Sequence, residues 1–223
     1  MTLDQSTGKN NFIDRLAYFG GAITANPSKV SDDYQDLEQF VIDATMMMAD
    51  DVRVTQCFLN WLVRYGVLLC PSKLRRLLKT SKYDKSVLGV FFLYLVQNDL
   101  RPTRWNILKR MGKKRERMES LFPHLPVPKS TLNENFKQYG ILAHAMTPNP
   151  AKYLLPAESV LKQCPEIAYR ALMIGTVASD ILSFVKKAPE SKTPYEIAKC
   201  IHHHRAQVYS VVQTMERVGN KIW

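Results

Sequence analysis

Apolar residues recur every three or four positions along most of the chain, the spacing that places them on one face of an α-helix. Runs with this spacing begin at Tyr34, at Val54 and at Pro71, a residue that suits the first turn of a helix. Residues 87–96 are apolar on every side, which is typical of a buried central helix. The pattern therefore predicts a helical region over residues 33–100.

These helices present more apolar surface than a body of this size is expected to bury by itself. We therefore predict that residues 33–100 are a dimerisation region and that the protein is a homodimer.

The first 32 residues are rich in Gly, Asn, Ser and Asp, and residues 1–32 are predicted to be weakly ordered apart from an apolar patch at 12–19. Residues 1–51 hold 3 basic and 9 acidic residues, a net charge of −6. The acidic region predicts a binding site for a protein partner. A solvated acidic helix with no partner is the alternative.

The whole chain has 223 residues and a formal net charge of +11, so everything after residue 51 is strongly basic. Such a charge favours a polyanionic partner, of which nucleic acid is the commonest for a soluble protein. An apolar content of 46% indicates an ordinary globular core in one large domain or two small ones.

The C-terminal segment KTPYEIAKCIHHHRAQVYSVVQ, residues 192–213, contains two helix patterns separated by a short turn. Thr193 can cap the first helix, Pro194 suits its first turn, and Glu196 completes a capping box. With an upstream apolar run around Ile181, the segment resembles the winged helix-turn-helix superfamily. That resemblance implies a DNA-binding unit over residues 157–223.

On a helical wheel, the polar side chains of the second helix lie opposite its apolar stripe. Arginine and glutamine can donate to base edges, and serine and tyrosine can hold phosphates. The residues predicted to contact DNA here are Arg205, Gln207, Tyr209, Ser210, Gln213 and Arg217, together with Thr193.

A second unit of this kind is predicted over residues 101–156. A short helix over 131–139 ends at Gly140, and two strands over 141–156 are expected to flank a proline-containing turn at 147–150. Helix and hairpin together resemble a second winged helix, with Ser130, Thr131 and Lys137 facing DNA.

Residues 101–117 carry eight basic side chains against Glu116 alone. We interpret them as a phosphate-contacting basic helix, and a solvated surface helix or linker is the alternative. The residues predicted to contact phosphates are Arg104, Lys109, Arg110, Lys113, Lys114, Arg115 and Arg117.

The CIHHHR motif, residues 200–205, is not expected to bind a metal, because consecutive histidines point in different directions and no second ligand pair has zinc-type spacing. The sequence contains none of the motifs GxSxG and HExxH and no glycine-rich phosphate loop, so no enzyme activity and no cofactor are predicted.

The four cysteines are scattered, no secretory signal opens the chain, and no apolar stretch is long enough to span a bilayer. We therefore expect a cytoplasmic protein without membrane contact.

The predicted fold is mainly α, with a helical N-terminal region plus one or two winged-helix units and a small β-hairpin. The predicted function is sequence-specific binding of double-stranded DNA by a transcriptional regulator of the antitoxin type or of the type found at mobile or defence loci. Two alternatives remain, which are a plasmid or phage replication initiator with tandem winged helices and a protein-interaction scaffold.

Overall fold

A computed structural model of the chain describes residues 5–126, 132–173, 177–188 and 193–217. The N-terminal helices are α1 (Gln5–Tyr18), α2 (Ser28–Ser31), α3 (Leu37–Met47), α4 (Val52–Tyr65), α5 (Pro71–Leu77) and α6 (Lys85–Asn98). The other elements are α7 (Asn106–Lys109), β1 (Glu119–Ser120), α8 (Glu134–Gln138), β2 (Ile141–Leu142), α9 (Pro150–Tyr153), α10 (Ala157–Gln163), α11 (Pro165–Met173), α12 (Val177–Lys187), α13 (Pro194–Cys200) and α14 (Arg205–Arg217). Short 3₁₀ turns cover Met48–Asp50, Gly66–Leu68 and Pro102–Trp105. The predicted mainly α fold is confirmed.

The main core lies between α1, α3, α4 and α6. Phe40, Phe58, Trp61 and Phe91 are fully buried there, and their ring centroids lie 4.9 to 5.8 Å from one another in successive contacts. Residues 86–95 of α6 are all buried, as predicted for a central helix. Aspartates cap the starts of α3, α4 and α6, and the side chain of Asp84 accepts from two backbone N–H groups of α6.

Helix α1 contains most of the apolar patch at 12–19, which the prediction of a weakly ordered segment over residues 1–32 set apart. The ring of Phe12 stacks on Phe40 with 5.1 Å between centroids, and Leu16 is fully buried. The abundance of Asn and Gly concealed this helix, because three or four apolar side chains on one face are enough to dock it on the core.

The apolar surface that motivated the dimer prediction is buried within the chain. Helix α6 is enclosed by the main core, and α4 buries ten of its residues. A homodimer stays a prediction, and its interface would have to use a different surface.

The small sheet differs from the predicted hairpin. Strand β2 pairs in parallel with β1, and Ile141 lies opposite Glu119. In place of the expected turn at 147–150, an irregular stretch leads into α9, which begins at Pro150. Proline is well suited to the first position of a helix and lacks the N–H that a strand ladder needs. The prediction of a complete β-wing in residues 101–156 is therefore wrong.

The predicted basic helix at 101–117 is also wrong. The first part of residues 101–117 forms a 3₁₀ turn and the single-turn helix α7, which ends at Lys109. A Cβ on Gly112 would lie 2.6 Å from Cα of Gly89, so the backbone approaches α6 more closely than any other residue would permit. The segment then runs beside α6 without regular secondary structure over residues 112–115, and the Lys113 N–H donates to the Lys85 carbonyl at 3.2 Å.

The last three helices form a small core of their own. Ile181 and Phe184 of α12, Ile197 of α13 and Val208 and Val212 of α14 are buried together. The apolar stripe predicted for the second helix of this segment faces this core.

Candidate nucleic-acid interface

Helix α13 begins with the predicted capping box. The Glu196 N–H donates to the Thr193 hydroxyl at 3.3 Å, and the Glu196 carboxylate accepts from the Thr193 N–H at 2.8 Å. The same carboxylate also accepts from the Thr193 hydroxyl at 2.9 Å. Thr193, which was predicted to contact DNA, therefore has its hydroxyl engaged in the cap.

The turn between α13 and α14 depends on the backbone of His202. Its φ of +54° lies in the left-handed region, which glycine adopts most easily and which histidine tolerates better than most side chains. The His203 N–H then donates to the Ala198 carbonyl at 3.1 Å. Ala198 is buried in the small core, so a small side chain lies where the two helices meet.

Helix α14 presents a polar face to solvent. Val208 and Val212 hold its other side against the small core. An open groove of about 480 Å³ runs along the solvent side. The exposed side chains on this side are Arg205, Ala206, Gln207, Tyr209, Ser210 and Gln213. The guanidinium of Arg205 lies 5.2 Å from the ring centroid of Tyr195 on α13. Arg217 ends the helix, and its side chain lies outside the described residues.

Two arginines of residues 101–117, which we call the basic segment, form ion pairs within the protein. The Nε of Arg104 lies 2.6 Å from Asp99, and one of its terminal nitrogens donates to the Val67 carbonyl at 2.8 Å. Arg115 lies 2.8 Å from Asp84 and 2.9 Å from Glu119. These arginines hold the chain together and are poorly placed to bind phosphate.

The other basic side chains of this segment are exposed, and the described residues offer them no ion pair. They are Lys109, Arg110, Lys113, Lys114 and Arg117. They lie at the end of the single-turn helix α7 and along the irregular segment after it, so they can contribute charge without forming one rigid helix.

In the second predicted unit, Lys137 lies 3.3 Å from Glu134 on the same exposed face of α8. Phe136 is fully buried beneath that face. Ser130 and Thr131 lie outside the described residues. With no wing beside it, α8 is a weaker candidate for DNA contact than α14.

A group of buried ionic side chains, which the sequence did not predict, joins the C-terminal helices to the N-terminal body. This buried ionic cluster consists of Asp36, Glu38, Lys73, Arg170, Asp180 and His203. Lys73 Nζ lies 2.9 Å from both Asp36 and Asp180 and 3.3 Å from Glu38. Arg170 donates to both oxygens of Glu38 and of Asp180.

Asp180 is the member of the cluster that touches the turn between α13 and α14, through His203. Its Oδ2 lies 2.8 Å from His203 Nε2 and 2.9 Å from Lys73 Nζ. Burial favours the neutral acid, but the charges of Arg170 and Lys73 outweigh it and hold the pKa of Asp180 well below its usual range. For Glu38, burial is likewise outweighed by Arg170 and Lys73, and the pKa falls to about 2. Both acids are therefore ionised at neutral pH, and they fix the turn to the body.

The sequence did contain a signal for this cluster. Lys73 is four residues before the buried Leu77, and Asp180 is four residues before the buried Phe184. Charges at such positions lie on the apolar face of a helix, where they need partners. The identity of each partner was not predictable, because the pairs are separated by as many as 132 residues.

The described residues hold neither a metal site nor a membrane span. Among them, no group of three or more His, Cys, Asp or Glu side chains converges as a metal site requires. No described helix is long and apolar enough to cross a membrane. Comparisons with known proteins found no matching family model, curated protein or solved structure.

Proposed function

We propose that the protein binds double-stranded DNA and acts as a transcriptional regulator. The proposal rests on one observation about α14. This helix follows a capped helix and a tight turn, buries one side, and exposes a polar side rich in hydrogen-bonding groups. A helix of this kind fits the major groove, where side-chain amides and guanidinium groups can distinguish base pairs.

In this proposal, the groups of α14 have separate tasks. Gln207 and Arg205 contact base edges near the start of the helix, while Tyr209, Ser210 and Gln213 contact bases or phosphates further along. The exposed cations of the basic segment add sequence-independent attraction to the DNA backbone. A homodimer would double these contacts on a symmetric site.

We further propose a cytoplasmic location. All four cysteines are free, and burial raises the pKa of the Cys57 thiol to about 12, which keeps that thiol protonated and unreactive.

Binding to plain duplex DNA at several salt concentrations tests the proposal. Salt-dependent binding is expected, followed by footprints on selected duplexes, and footprints upstream of the protein's own coding region would favour a regulator over a replication initiator. Absence of duplex binding at low salt would contradict DNA binding and favour the protein-interaction scaffold.

A further inference from the structure

Helix α5 of the N-terminal body carries a basic surface that the sequence analysis did not assign to any partner. Its inner side buries Lys73 and Leu74. On the outside, Arg75 and Arg76 of the helix and Lys79 of the turn that follows it are exposed, and none of them forms an ion pair with a described carboxylate. Three cations therefore face solvent with their charge uncompensated.

This basic surface lies beside the turn that precedes α14. Lys73 of α5 and His203 of the turn both contact the same carboxylate oxygen of Asp180, at 2.9 and 2.8 Å. One turn of helix beyond Lys73, the guanidinium of Arg76 donates to the His202 carbonyl. Two independent contacts thus hold the exposed side of α5 next to the start of α14.

The proposed DNA-contacting face of α14 needs additional positive charge. Among its described side chains, Arg205 is the only cation, and the others are neutral groups such as Gln207 and Gln213. Such a face can distinguish base pairs but neutralises few phosphates, whereas phosphate contacts supply most of the affinity for duplex DNA.

We propose that Arg75, Arg76 and Lys79 form a phosphate-binding surface that holds the DNA backbone beside the groove entered by α14. The proposal rests on DNA binding by α14 and assigns a nucleic-acid contact to the N-terminal body. The buried ionic cluster then has a functional consequence, since it sets the position of the phosphate-binding helix relative to the base-contacting helix.

The test compares two double variants by their binding to plain duplex DNA over a range of salt concentrations. Arg75→Gln with Lys79→Gln removes two charges of the surface and leaves Arg76 on the His202 carbonyl. Arg53→Gln with Lys152→Gln is the matched control, because this arginine and this lysine are exposed, lie on other helices and form no ion pair with a described carboxylate. We expect the α5 variant to lower the slope of log affinity against log salt by up to about 1.8, or about 0.9 per contact, and the control to leave it unchanged.

The outcomes separate this proposal from the one on which it rests. If the wild type binds duplex DNA and the α5 variant keeps the wild-type slope with an unchanged circular dichroism spectrum, the α5 surface is refuted and DNA binding by α14 stands. If the wild type binds no duplex, both proposals fail. If the α5 variant loses the binding of polyglutamate that the wild type shows but keeps the wild-type salt slope for duplex DNA, the surface binds an acidic polypeptide and the DNA assignment is overturned.

Discussion

Lys73 and Asp180 are 107 residues apart in the chain, yet Lys73 Nζ lies 2.9 Å from Asp180 Oδ2, and both side chains are almost completely buried. The pair connects α5 of the main body to α12 of the C-terminal unit. A buried charge is tolerated only where opposite charges and hydrogen bonds surround it, and Asp36, Glu38 and Arg170 complete that environment. The pair therefore fixes the position of helices α12–α14 relative to the N-terminal body.

Removing the Lys73 charge should destabilise the whole protein. Lys73→Met takes the cation away from Asp36 and leaves Glu38 and Asp180 to share Arg170. Loss of one partner from a buried ion pair lowers the free energy of unfolding by about 3–5 kcal/mol. Chemical denaturation monitored by circular dichroism measures this change.

Lys162→Met is the control for this substitution, since its exposed pair with Glu158 contributes less than about 1 kcal/mol. Equal stability of the two variants would contradict the role assigned to Lys73.

The buried ionic cluster should also make stability fall in acid. The pKa of Glu38 is lowered from 4.5 to about 2, so its contribution to stability is fully present above pH 4.5 and is lost as the pH falls towards 2. We expect the difference in unfolding free energy between wild type and Glu38→Gln to shrink over that interval, by up to about 3 kcal/mol. A difference that stays constant from pH 6 to pH 2.5 would show that Glu38 is not ionised in the cluster.

The two sides of α14 should respond differently to an introduced charge. Val212→Asp buries an unpaired carboxylate in the small core and is expected to unfold α12–α14 while the main core remains folded. Hydrogen exchange should show lost protection in those helices. Ser210→Asp, on the exposed side of the same helix, is expected to keep the protection and to weaken DNA binding by repelling phosphates. Similar exchange patterns in the two variants would contradict the assigned orientation of α14.

Neighbouring cations of the basic segment should separate into structural and DNA-contacting groups. Arg115→Gln loses two ion pairs and is expected to lower stability by about 1–2 kcal/mol. Lys113→Gln with Lys114→Gln is expected to change stability by less than about 0.5 kcal/mol per site and to lower the salt slope of DNA binding by about 0.9 per contact. An unchanged slope would assign both lysines to a solvated surface.

The local chemistry of the C-terminal unit was predictable from the sequence. The capping box at Thr193 and Glu196 acts over three residues, and the inward face of α14 follows from the spacing of Val208 and Val212.

Features that depend on distant parts of the chain were not predictable. Strand β2 pairs with a strand that precedes α8 and not with one that follows it. Gly112 approaches Gly89 of α6 closely, and the residues around Gly112 form no helix. The partners of Lys73 likewise come from separate parts of the chain, around Asp36 and at Asp180. Spacing along the sequence carries no information about which of these distant groups meet.

The most direct test of the central claim is selection of preferred duplexes from a random library by the wild type and by variants Arg205→Ala and Gln207→Ala. If α14 enters the major groove, each variant should lose about 1–3 kcal/mol on the wild-type site, relax its preference at particular base pairs, and retain most of its affinity for non-specific DNA. Variants that select the same sequence with the same affinity as the wild type would contradict base contact by α14.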